Sequence, residues 1–244
     1  MKRTLLILTS FFLATQLFAQ KFELSVQANS GLYHYSGSSS VFVSSINQGA
    51  TDKDNYTNNP YGKKNGFSYG LTVQEQYVSE GGFIIGLQAG YELLRSKVDI
   101  NVYYPGYAYL LYTTYLTAPQ TPVTGQTFLQ NQDINLNPYI GYRIKTSKIN
   151  IDIMPGVDFG FNVSSYDKGK ATDDSGNVYR TDRKLLDAPT DVRLRLGVMA
   201  SYKRFGVTAA YAHGLTNLGK NIIGSGDYEV HSELIRFGVT YRIF

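Results

Sequence analysis

Residues Ile149 to Val163 read I-N-I-D-I-M-P-G-V-D-F-G-F-N-V, and this alternation indicates the architecture of the whole chain. The odd-numbered positions are apolar, and the even-numbered positions are polar or glycine except at Met154. A period of two predicts a β-strand with one apolar face and one polar face. The segment is longer than the five or six residues of an ordinary strand, and a tilted strand needs about 9–11 residues to cross a bilayer. We therefore expect a membrane-spanning strand.

The first residues have the pattern of a secretory signal peptide. Lys2 and Arg3 precede a short apolar run, and the small residue Ala19 closes the segment. A basic tip, a short apolar core and a small residue before the cleavage point are typical of export. We expect cleavage after Ala19, which would remove residues 1–19 and leave residues 20–244 as one domain. An uncleaved membrane anchor is the alternative, but the apolar run is short for it.

The composition excludes several classes of function. Without Lys2 and Arg3 the chain has 21 basic and 19 acidic residues, and this small, scattered excess does not predict nucleic-acid binding. No cysteine is present, so disulfides, thiolate metal sites and lipid-modified cysteines are excluded. The mature sequence has no apolar run of about 20 residues, so a membrane protein with this sequence must be a closed β-barrel.

Alternation of apolar and polar residues recurs in eight segments, and the connections between them alternate in length. Short turns separated by long loops are typical of outer-membrane barrels, with tight periplasmic turns and longer extracellular loops. We therefore predict an all-β fold, an eight-stranded antiparallel transmembrane β-barrel. The predicted strands are about 22–36, 66–78, 83–98, 133–144, 149–163, 191–202, 205–215 and 232–244; the short turns are 79–82, 145–148 and 203–204, and the long loops are about 37–64, 99–132, 165–190 and 216–231.

The polar faces of these strands distinguish a membrane barrel from a soluble barrel, which has its apolar face inward. They carry many glycines, which weaken a solvent-facing strand but make room inside a narrow eight-stranded lumen. They also carry charges of both signs, which predict a charge-paired plug, with lining of a narrow conduit as the alternative. We expect Arg143 to neighbour Asp152, and Asp158 to pair with Arg193 or Arg195. The predicted lumen charge network is Arg143, Asp152, Asp158, Asp191, Arg193, Arg195 and Arg236.

Three stretches carry a resemblance to a known family. The signal ending L-F-A-Q, the strand L-N-P-Y-I-G-Y-R-I (Leu136–Ile144) and the ending R-F-G-V-T-Y-R-I-F (Arg236–Phe244) resemble the small outer-membrane β-barrel proteins of Bacteroidetes, including PorT-like barrels. In architecture these are similar to eight-stranded barrels of the OmpA and OmpX type. The resemblance covers essentially the whole mature chain and implies fold and location, not an activity.

The second long loop is rich in tyrosine around Pro105. We expect residues 101–104 and 107–115 to form a hairpin above the membrane. Exposed tyrosines suit recognition because they supply large amphipathic contact area, and the alternative is a wall packed on the other loops. The predicted recognition surface is Tyr103, Tyr104, Tyr107, Tyr109, Tyr112 and Tyr115.

No catalytic, cofactor or metal site is predicted. His213 and His231 could serve a lipid-facing enzyme, but His231 and Ser232 are adjacent in a strand and point to opposite faces. The acidic stretches 52–55 and 173–177 lack the full calcium-loop register, and the second is more simply a turn.

We therefore expect a non-catalytic outer-membrane barrel with a plugged polar lumen and a structural or surface-interaction role. Passive binding or passage of a small solute or hydrophobic ligand is the alternative, and a lipid-modifying enzyme is the third reading. The expected partners are outer-membrane lipid, the barrel-assembly machinery during biogenesis, and an extracellular protein or surface ligand at the loops.

Overall fold

The computed structural model describes residues 22–51, 54–105, 108–110, 114–116, 119–185, 189–220 and 228–244, and the predicted signal peptide lies outside them. For 108–110 and 114–116 the description is limited to the backbone. The strands are β1 Phe22–Ser36, β2 Val43–Asn47, β3 Tyr56–Thr57, β4 Lys64–Val78, β5 Phe83–Tyr104, β6 Ala108–Leu110, β7 Thr114–Leu116, β8 Thr121–Lys145, β9 Asn150–Thr172, β10 Val178–Leu185, β11 Asp191–Tyr202, β12 Phe205–Gly214 and β13 His231–Arg242. Among the described residues there is no helix long and apolar enough to cross a membrane.

Eight of these strands form a closed ring in the order β1-β4-β5-β8-β9-β11-β12-β13. Every pair in the ring is antiparallel, and β13 returns to pair with β1, where Val239 lies opposite Ala28. Closure leaves no free sheet edge in the ring, so the backbone groups of each strand find partners on both sides. The predicted eight-stranded antiparallel barrel is confirmed.

The two faces of the ring differ as the alternation predicts. Apolar side chains point outward and stay exposed, as at Leu71 (68%), Phe205 (68%) and Val163 (61%). Polar side chains point inward and are buried, as at Asp152 (0%) and Gln74 (1%). An apolar exterior around a polar interior is the reverse of a soluble barrel, and it is the arrangement of barrels that span lipid.

The connections between neighbouring strands are short at one end of the ring and long at the other. At the short-turn rim, residues 79–82, 146–149 and 203–204 connect neighbouring strands. The tightest of these turns uses Lys203 with φ of 53°, a left-handed conformation that suits a two-residue hairpin turn. The opposite end is the long-loop rim, where the strands continue beyond the predicted bounds.

Much of what the sequence predicted as loops 37–64, 99–132 and 165–190 is β-structure. The upper parts of β5 (95–104), β8 (121–131) and β9 (164–172) rise above the ring, together with β2, β3 and β10, and we call this body the extension. Residues 102 and 103 of β5 pair with 122 and 121 of β8. The predicted hairpin between 101–104 and 107–115 is therefore wrong, because residues of β8 pair with this end of β5. Strands β6 and β7 pair with each other in a separate two-stranded sheet.

A β-bulge marks the base of the extension. Between Gln132 and Asp133 of β8 the register to β9 shifts, so that Val163 is an extra residue on β9. An extra residue reverses the face on which the following side chains lie. Odd-numbered β9 residues face outward up to Val163, whereas above it Asp167 is buried and Lys168 is exposed.

Candidate functional site

The polar lumen begins near the short-turn rim with a cluster around Arg143. The register places Arg143 directly opposite Asp152, since only residues 146–149 connect β8 to β9. Arg143 Nε donates to Asp152 Oδ1 at 2.7 Å, and Arg143 Nη1 donates to Glu23 Oε1 at 2.7 Å. Arg143 Nη2 donates a second hydrogen bond to each carboxylate, at 2.7 Å to Glu23 Oε2 and 2.7 Å to Asp152 Oδ2. These charge-assisted contacts tie β1, β8 and β9 together.

A second cluster lies midway up the lumen around Glu92 of β5. Arg236 of β13 donates to one oxygen of Glu92, and Arg193 Nη2 of β11 lies 3.3 Å from the other. Arg193 Nε also lies 3.6 Å from Asp191 Oδ2. These side chains are nearly excluded from solvent, so the charges neutralise one another across the width of the barrel.

Asp158 of β9 completes the central cluster. Although Arg193 is its backbone partner across the sheet, Asp158 Oδ1 lies 3.3 Å from Arg195 Nη1. Arg195 Nη1 also donates to Gln88 Oε1 at 2.8 Å, and Arg236 Nη1 lies 3.6 Å from Asp158 Oδ2. Guanidinium groups from two strands therefore share one buried carboxylate.

The structure brings together the residues of the predicted lumen network, and it adds acidic members that sequence reasoning missed. Alternation alone places Glu23 and Glu92 on the polar faces of their strands, so a signal for them was present. Their pairing was not visible, because it depends on which side chains meet across the lumen. The seven predicted residues are all buried at 6% exposure or less: Arg143, Asp152, Asp158, Asp191, Arg193, Arg195 and Arg236.

Glycines on the lumen face make room for the large side chains. A β-carbon at Gly86 would overlap the Tyr139 ring, and one at Gly160 would lie 2.9 Å from Arg193 Nη2. The absence of side chains there allows Tyr139 to reach Gln76, to which its hydroxyl donates at 2.8 Å. The glycines thus have the steric role that a filled narrow lumen requires.

The lumen is covered toward the long-loop rim by an apolar group that we call the cap cluster. Tyr33 and Tyr35 are each 1% exposed, and Asn131 Nδ2 donates to the Tyr35 hydroxyl at 2.8 Å. A cavity beside Glu92, just below the cap cluster, has a volume of about 10 Å³. A single water needs roughly 10–15 Å³, so this space is no passage. The buried residues of the cap cluster are Tyr33, Tyr35, Leu94, Leu129, Ala212, Val230 and Leu234, and Tyr61, Leu185 and Leu218 pack against them.

The extension has an apolar core of its own above the cap cluster. Ile46 of β2, Ile100 of β5, Val123 of β8 and Ala171 of β9 are buried together, at 5% exposure or less. Strand β2 lies parallel to β5 and pairs with the part of β5 beyond Lys97, where β4, which begins at Lys64, no longer reaches. A core built from four strands makes the extension a packed body, in contrast to a set of separate loops.

A buried carboxylate fastens β3 to the wall of the extension. Asp167 Oδ2 accepts the backbone N–H of Thr57 at 2.7 Å, and Asp167 Oδ1 accepts the Thr57 hydroxyl at 2.7 Å. Thr127 Oγ1 lies 2.9 Å from the same hydroxyl oxygen. Burial raises the pKa of the Asp167 carboxyl, and the hydrogen bonds from Thr57 oppose that shift. Because β3 belongs to the first long loop and Asp167 to β9, this contact spans the extension.

The described tyrosines of the predicted recognition surface do not share one environment in the structure. Tyr103 is 7% exposed and its ring stacks on that of Tyr179 with centroids 4.0 Å apart, so it lies in the core of the extension and not on its surface. Tyr104 is exposed at 39%. Tyr107 and Tyr112 lie outside the described residues, as do the side chains of Tyr109 and Tyr115, which belong to β6 and β7.

The histidines meet on the outer wall near the long-loop rim. His213 of β12 and His34 of β1 are the backbone partners of Glu233 on either side of it. The His213 Nδ1 atom lies 2.7 Å from Glu233 Oε1. The hydroxyls of Tyr211 and Ser36 donate to Glu233 at 2.6 and 3.0 Å. A nucleophilic site needs a hydroxyl on the base itself, and these hydroxyls bind the carboxylate.

The acidic stretch at 173–177 forms a turn between β9 and β10. Asp173 accepts hydrogen bonds from the backbone N–H groups of Ser175 and Asn177, each at 2.9 Å, and from the Tyr179 hydroxyl at 3.0 Å. The side chain of Asn177 donates as well, and this bond is the main reason that the pKa of Asp173 is lowered. The carboxylate thus serves the turn that carries β9 into β10.

A match to a protein-family model agrees with this architecture. The model of the outer membrane protein beta-barrel domain family matches residues 18–219. A comparison with curated proteins found no match. Similar solved structures include Neisserial surface protein A (13% identity, 89% of this chain and 96% of that chain, TM-score 0.36) and Ail, the attachment invasion locus protein of Yersinia pestis (11%, 91% and 98%, TM-score 0.33). The outer membrane protease OmpT of Escherichia coli is also similar (10%, 91% and 95%, TM-score 0.36).

Likenesses at these identities and TM-scores carry no information about activity. The family match, by contrast, covers most of the chain and agrees with the closed ring, its apolar exterior and its polar lumen. The chain belongs to the outer membrane protein beta-barrel domain family.

Proposed function

We propose that this outer-membrane barrel is non-catalytic and that its filled lumen supports a rigid extracellular platform for a surface ligand or an extracellular protein. The observation that carries the proposal is the contrast between the two ends of the barrel. The short-turn rim ends in tight turns, whereas the long-loop rim carries an extension with its own core and the Asp167 contact. A preformed surface loses little conformational entropy on binding, which favours recognition.

The filled lumen is the second support for the proposal. Ion pairs occupy the lumen from Arg143 to Glu92, and the cap cluster covers them. An interior of eight strands is just wide enough to be filled by side chains. Passage of a solute would require the ion pairs and the cap cluster to rearrange together, so we place the conduit reading second.

The proposal includes the route to the membrane. Cleavage after Ala19 would release the mature chain, and the barrel-assembly machinery would insert it into outer-membrane lipid. The likeness of Leu136–Ile144 and Arg236–Phe244 to PorT-like barrels of Bacteroidetes belongs to the same proposal. In this orientation the short-turn rim faces the periplasm and the extension faces outward.

The non-catalytic part of the proposal rests on the group around Glu233. His213, Tyr211 and Ser36 all point their polar atoms at this one carboxylate. A lipid-modifying enzyme of this kind would depend on His213 or His231. We expect the lipid masses of cells that produce the protein to be the same with His213→Ala and His231→Ala. A lipid modification that depends on the protein and disappears in either variant would contradict the non-catalytic reading.

A planar-bilayer recording tests the filled lumen. We expect the purified barrel to give no steady open conductance, since the central ion pairs and the cap cluster obstruct the path. The control is the same preparation checked on a gel without heating, where the folded barrel migrates differently from the boiled chain. Steady conductance from correctly folded protein would reject the plug and favour the conduit.

Site-specific crosslinking tests the platform. A photoreactive residue at Tyr104, which is exposed on the extension, should give discrete macromolecular adducts in intact cells. Tyr202 is the matched control, because it is also exposed (53%) but lies at the short-turn rim beside the membrane. Identical adduct patterns at the two positions, or no adduct at Tyr104, would count against recognition by the extension.

A further inference from the structure

One outer wall of the extension is basic. Strand pairing aligns the outward side chains of β5, β8, β9 and β10 in rows across the wall. One row contains Lys170 and Arg180, the next Lys97 and Lys168, and the row nearest the barrel contains Arg95 and Lys184. We call these six cations, together with the aromatic residues Phe128 and Tyr166 between them, the basic wall: Arg95, Lys97, Phe128, Tyr166, Lys168, Lys170, Arg180 and Lys184.

The basic wall is positively charged after its own acidic residues are counted. Asp99 is paired with Lys64 of β4, so a cation outside the six of the basic wall neutralises this carboxylate. Asp182 lies 3.3 Å from Lys168, but both side chains are largely exposed, at 70% and 47%, so the pair is weak. The acidic turn at 173–177 lies at the far tip of the extension. A negatively charged partner is therefore attracted to the part of the wall next to the barrel.

The position of the basic wall relative to the apolar exterior identifies this partner. Val163 is the last exposed apolar residue of β9 on the barrel wall, and Tyr166, Lys168 and Lys170 follow it. At about 3.3 Å per residue and a tilt near 40°, these side chains lie roughly 8–18 Å beyond the hydrocarbon edge. The headgroup layer extends about 5–8 Å beyond the core, so the row nearest the barrel, with Arg95 and Lys184, lies at its outer edge. The long side chains of the next row, Lys97 and Lys168, can reach back to the same layer.

The chemistry of the wall fits phosphate. An open groove of about 640 Å³ is lined by three cations, Lys168, Lys170 and Arg180, by one carboxylate, Asp182, and by Phe128. Lysine and arginine make charge-assisted hydrogen bonds to phosphate oxygens, and aromatic side chains favour the interfacial zone. Lys168 Nζ also lies 4.7 Å from the centroid of the Tyr166 ring, so one cation is already positioned beside an aromatic face.

We propose that the basic wall binds the phosphate groups of anionic lipid headgroups in the leaflet that surrounds the extension. The contact would fix the tilt and height of the extension above the membrane on one side. The opposite wall, formed by β12 and β13, carries His213 and Glu233 at the same rim and lacks such a row of cations among the described residues. The proposal holds whether or not the platform has a separate ligand.

Binding of a labelled phosphatidic acid to the purified barrel in neutral detergent tests the proposal. The triple variant Arg95→Gln, Lys168→Gln and Lys184→Gln should weaken binding on the order of 100-fold, since each surface cation contributes about fivefold. The matched control removes three cations at the short-turn rim by Lys145→Gln, Lys148→Gln and Arg204→Gln, and it should bind like the unchanged protein. Added salt should weaken the binding of the unchanged protein.

Three comparisons keep the test decisive. Diacylglycerol, which has the same chains without phosphate, should not bind to the wall, and equal binding would overturn the proposal. Soluble glycerol phosphate should compete poorly, and equal competition would show a site for free anions in place of lipid. Folding of each variant is checked by gel migration without heating, and Lys168→Arg with Lys184→Arg should retain binding because the charges remain. Unchanged affinity in a folded triple glutamine variant would also overturn the proposal.

Discussion

Arg143 shows how single residues stabilise this lumen. Its guanidinium contacts both Asp152 and Glu23 through two nitrogen atoms each, and Asp152 has no exposed surface. A charge in such a place is costly unless a partner neutralises it, because water is excluded. The same argument applies to Glu92, which is bound by Arg236 and Arg193.

Replacing Arg143 with methionine should therefore destabilise the barrel strongly. The variant leaves Asp152 buried with no cation beside it, and loss of one partner of a buried ion pair costs about 3–5 kcal/mol. Urea unfolding in lipid vesicles measures the change in the free energy of unfolding. Arg204→Ala in the exposed turn 203–204 is the control, with an expected effect within about 0.5 kcal/mol. Equal effects of the two substitutions would contradict the neutralising role of Arg143.

Among the elements, β3 depends on contacts outside the sheet. It has only two residues, Tyr56 and Thr57, and its ladder to β2 is correspondingly short. Its attachment comes from Thr57, which donates through both its N–H and its hydroxyl to Asp167 on the far wall. Hydrogen bonds to a charged acceptor contribute about 1.5–3 kcal/mol each, so this contact outweighs the two-residue ladder.

Thr57→Val should loosen the attachment of β3 to the wall of the extension. The substitution keeps the shape of the side chain but removes the hydroxyl donor from a buried carboxylate. We expect backbone hydrogen exchange in residues 41–63 to accelerate by roughly tenfold or more, corresponding to the loss of one such bond. Exchange in β11 and β12, which Thr57 does not contact, is the internal control. Unchanged exchange in residues 41–63 would show that the ladder alone holds β3.

The raised pKa of Asp167 makes this attachment depend on pH. The folded extension binds the carboxyl proton more tightly than the unfolded chain does. Stability of the extension should therefore fall as pH rises from the ordinary carboxyl value of 3.8 through the raised pKa. Exchange rates of residues 41–63, corrected for the chemical rate at each pH, measure this.

Two variants assign the pH effect to Asp167. Asp167→Asn should flatten the dependence, because an amide does not titrate. Asp182→Asn, at an exposed carboxylate on β10, should keep it. A wild-type extension that gains stability with rising pH would contradict the assignment.

At the scale of the whole molecule, one chain presents exposed apolar residues to two different surroundings. Val239 of β13 and Val178 of β10 are both exposed valines in strands, at 61% and 47%. Val239 lies opposite Ala28 near the middle of β1, which places it close to the centre of the lipid-facing band. Val178 lies in the extension, beyond that band.

Arginine at these two positions should therefore have unequal costs. We expect Val239→Arg to cost about 2–4 kcal/mol of folding free energy in lipid vesicles, because the charge lies near the bilayer midplane. Val178→Arg should change it by less than about 0.5 kcal/mol, since its surroundings are aqueous. Urea titration of both variants in the same vesicles provides the comparison. Similar costs would place the apolar exterior outside a membrane.

Alternation was sufficient to predict the ring. The strand that contains Ile149–Val163 has the expected two faces, and seven of the eight ring strands begin within two residues of their predicted starts. The exception is β8, which begins at Thr121, twelve residues before its predicted start. Alternation failed in the extension, where β2, β3, β10 and the upper ends of β5, β8 and β9 were predicted as loops. The apolar positions there are fewer, and the bulge at Val163 reverses the phase, so a continuous period of two is lost.

The sequence by itself determined which face of each ring strand meets lipid and which faces the lumen, because successive side chains along a strand point to opposite faces of the sheet. Only the tertiary structure decided which charges meet, for instance that Asp158 contacts Arg195 although Arg193 is its partner across the sheet. It also decided that Tyr103 belongs to a core and that the cations of β5, β8, β9 and β10 form one wall. The physical reason is register: long connections hide how strands align, and alignment sets every contact across the barrel.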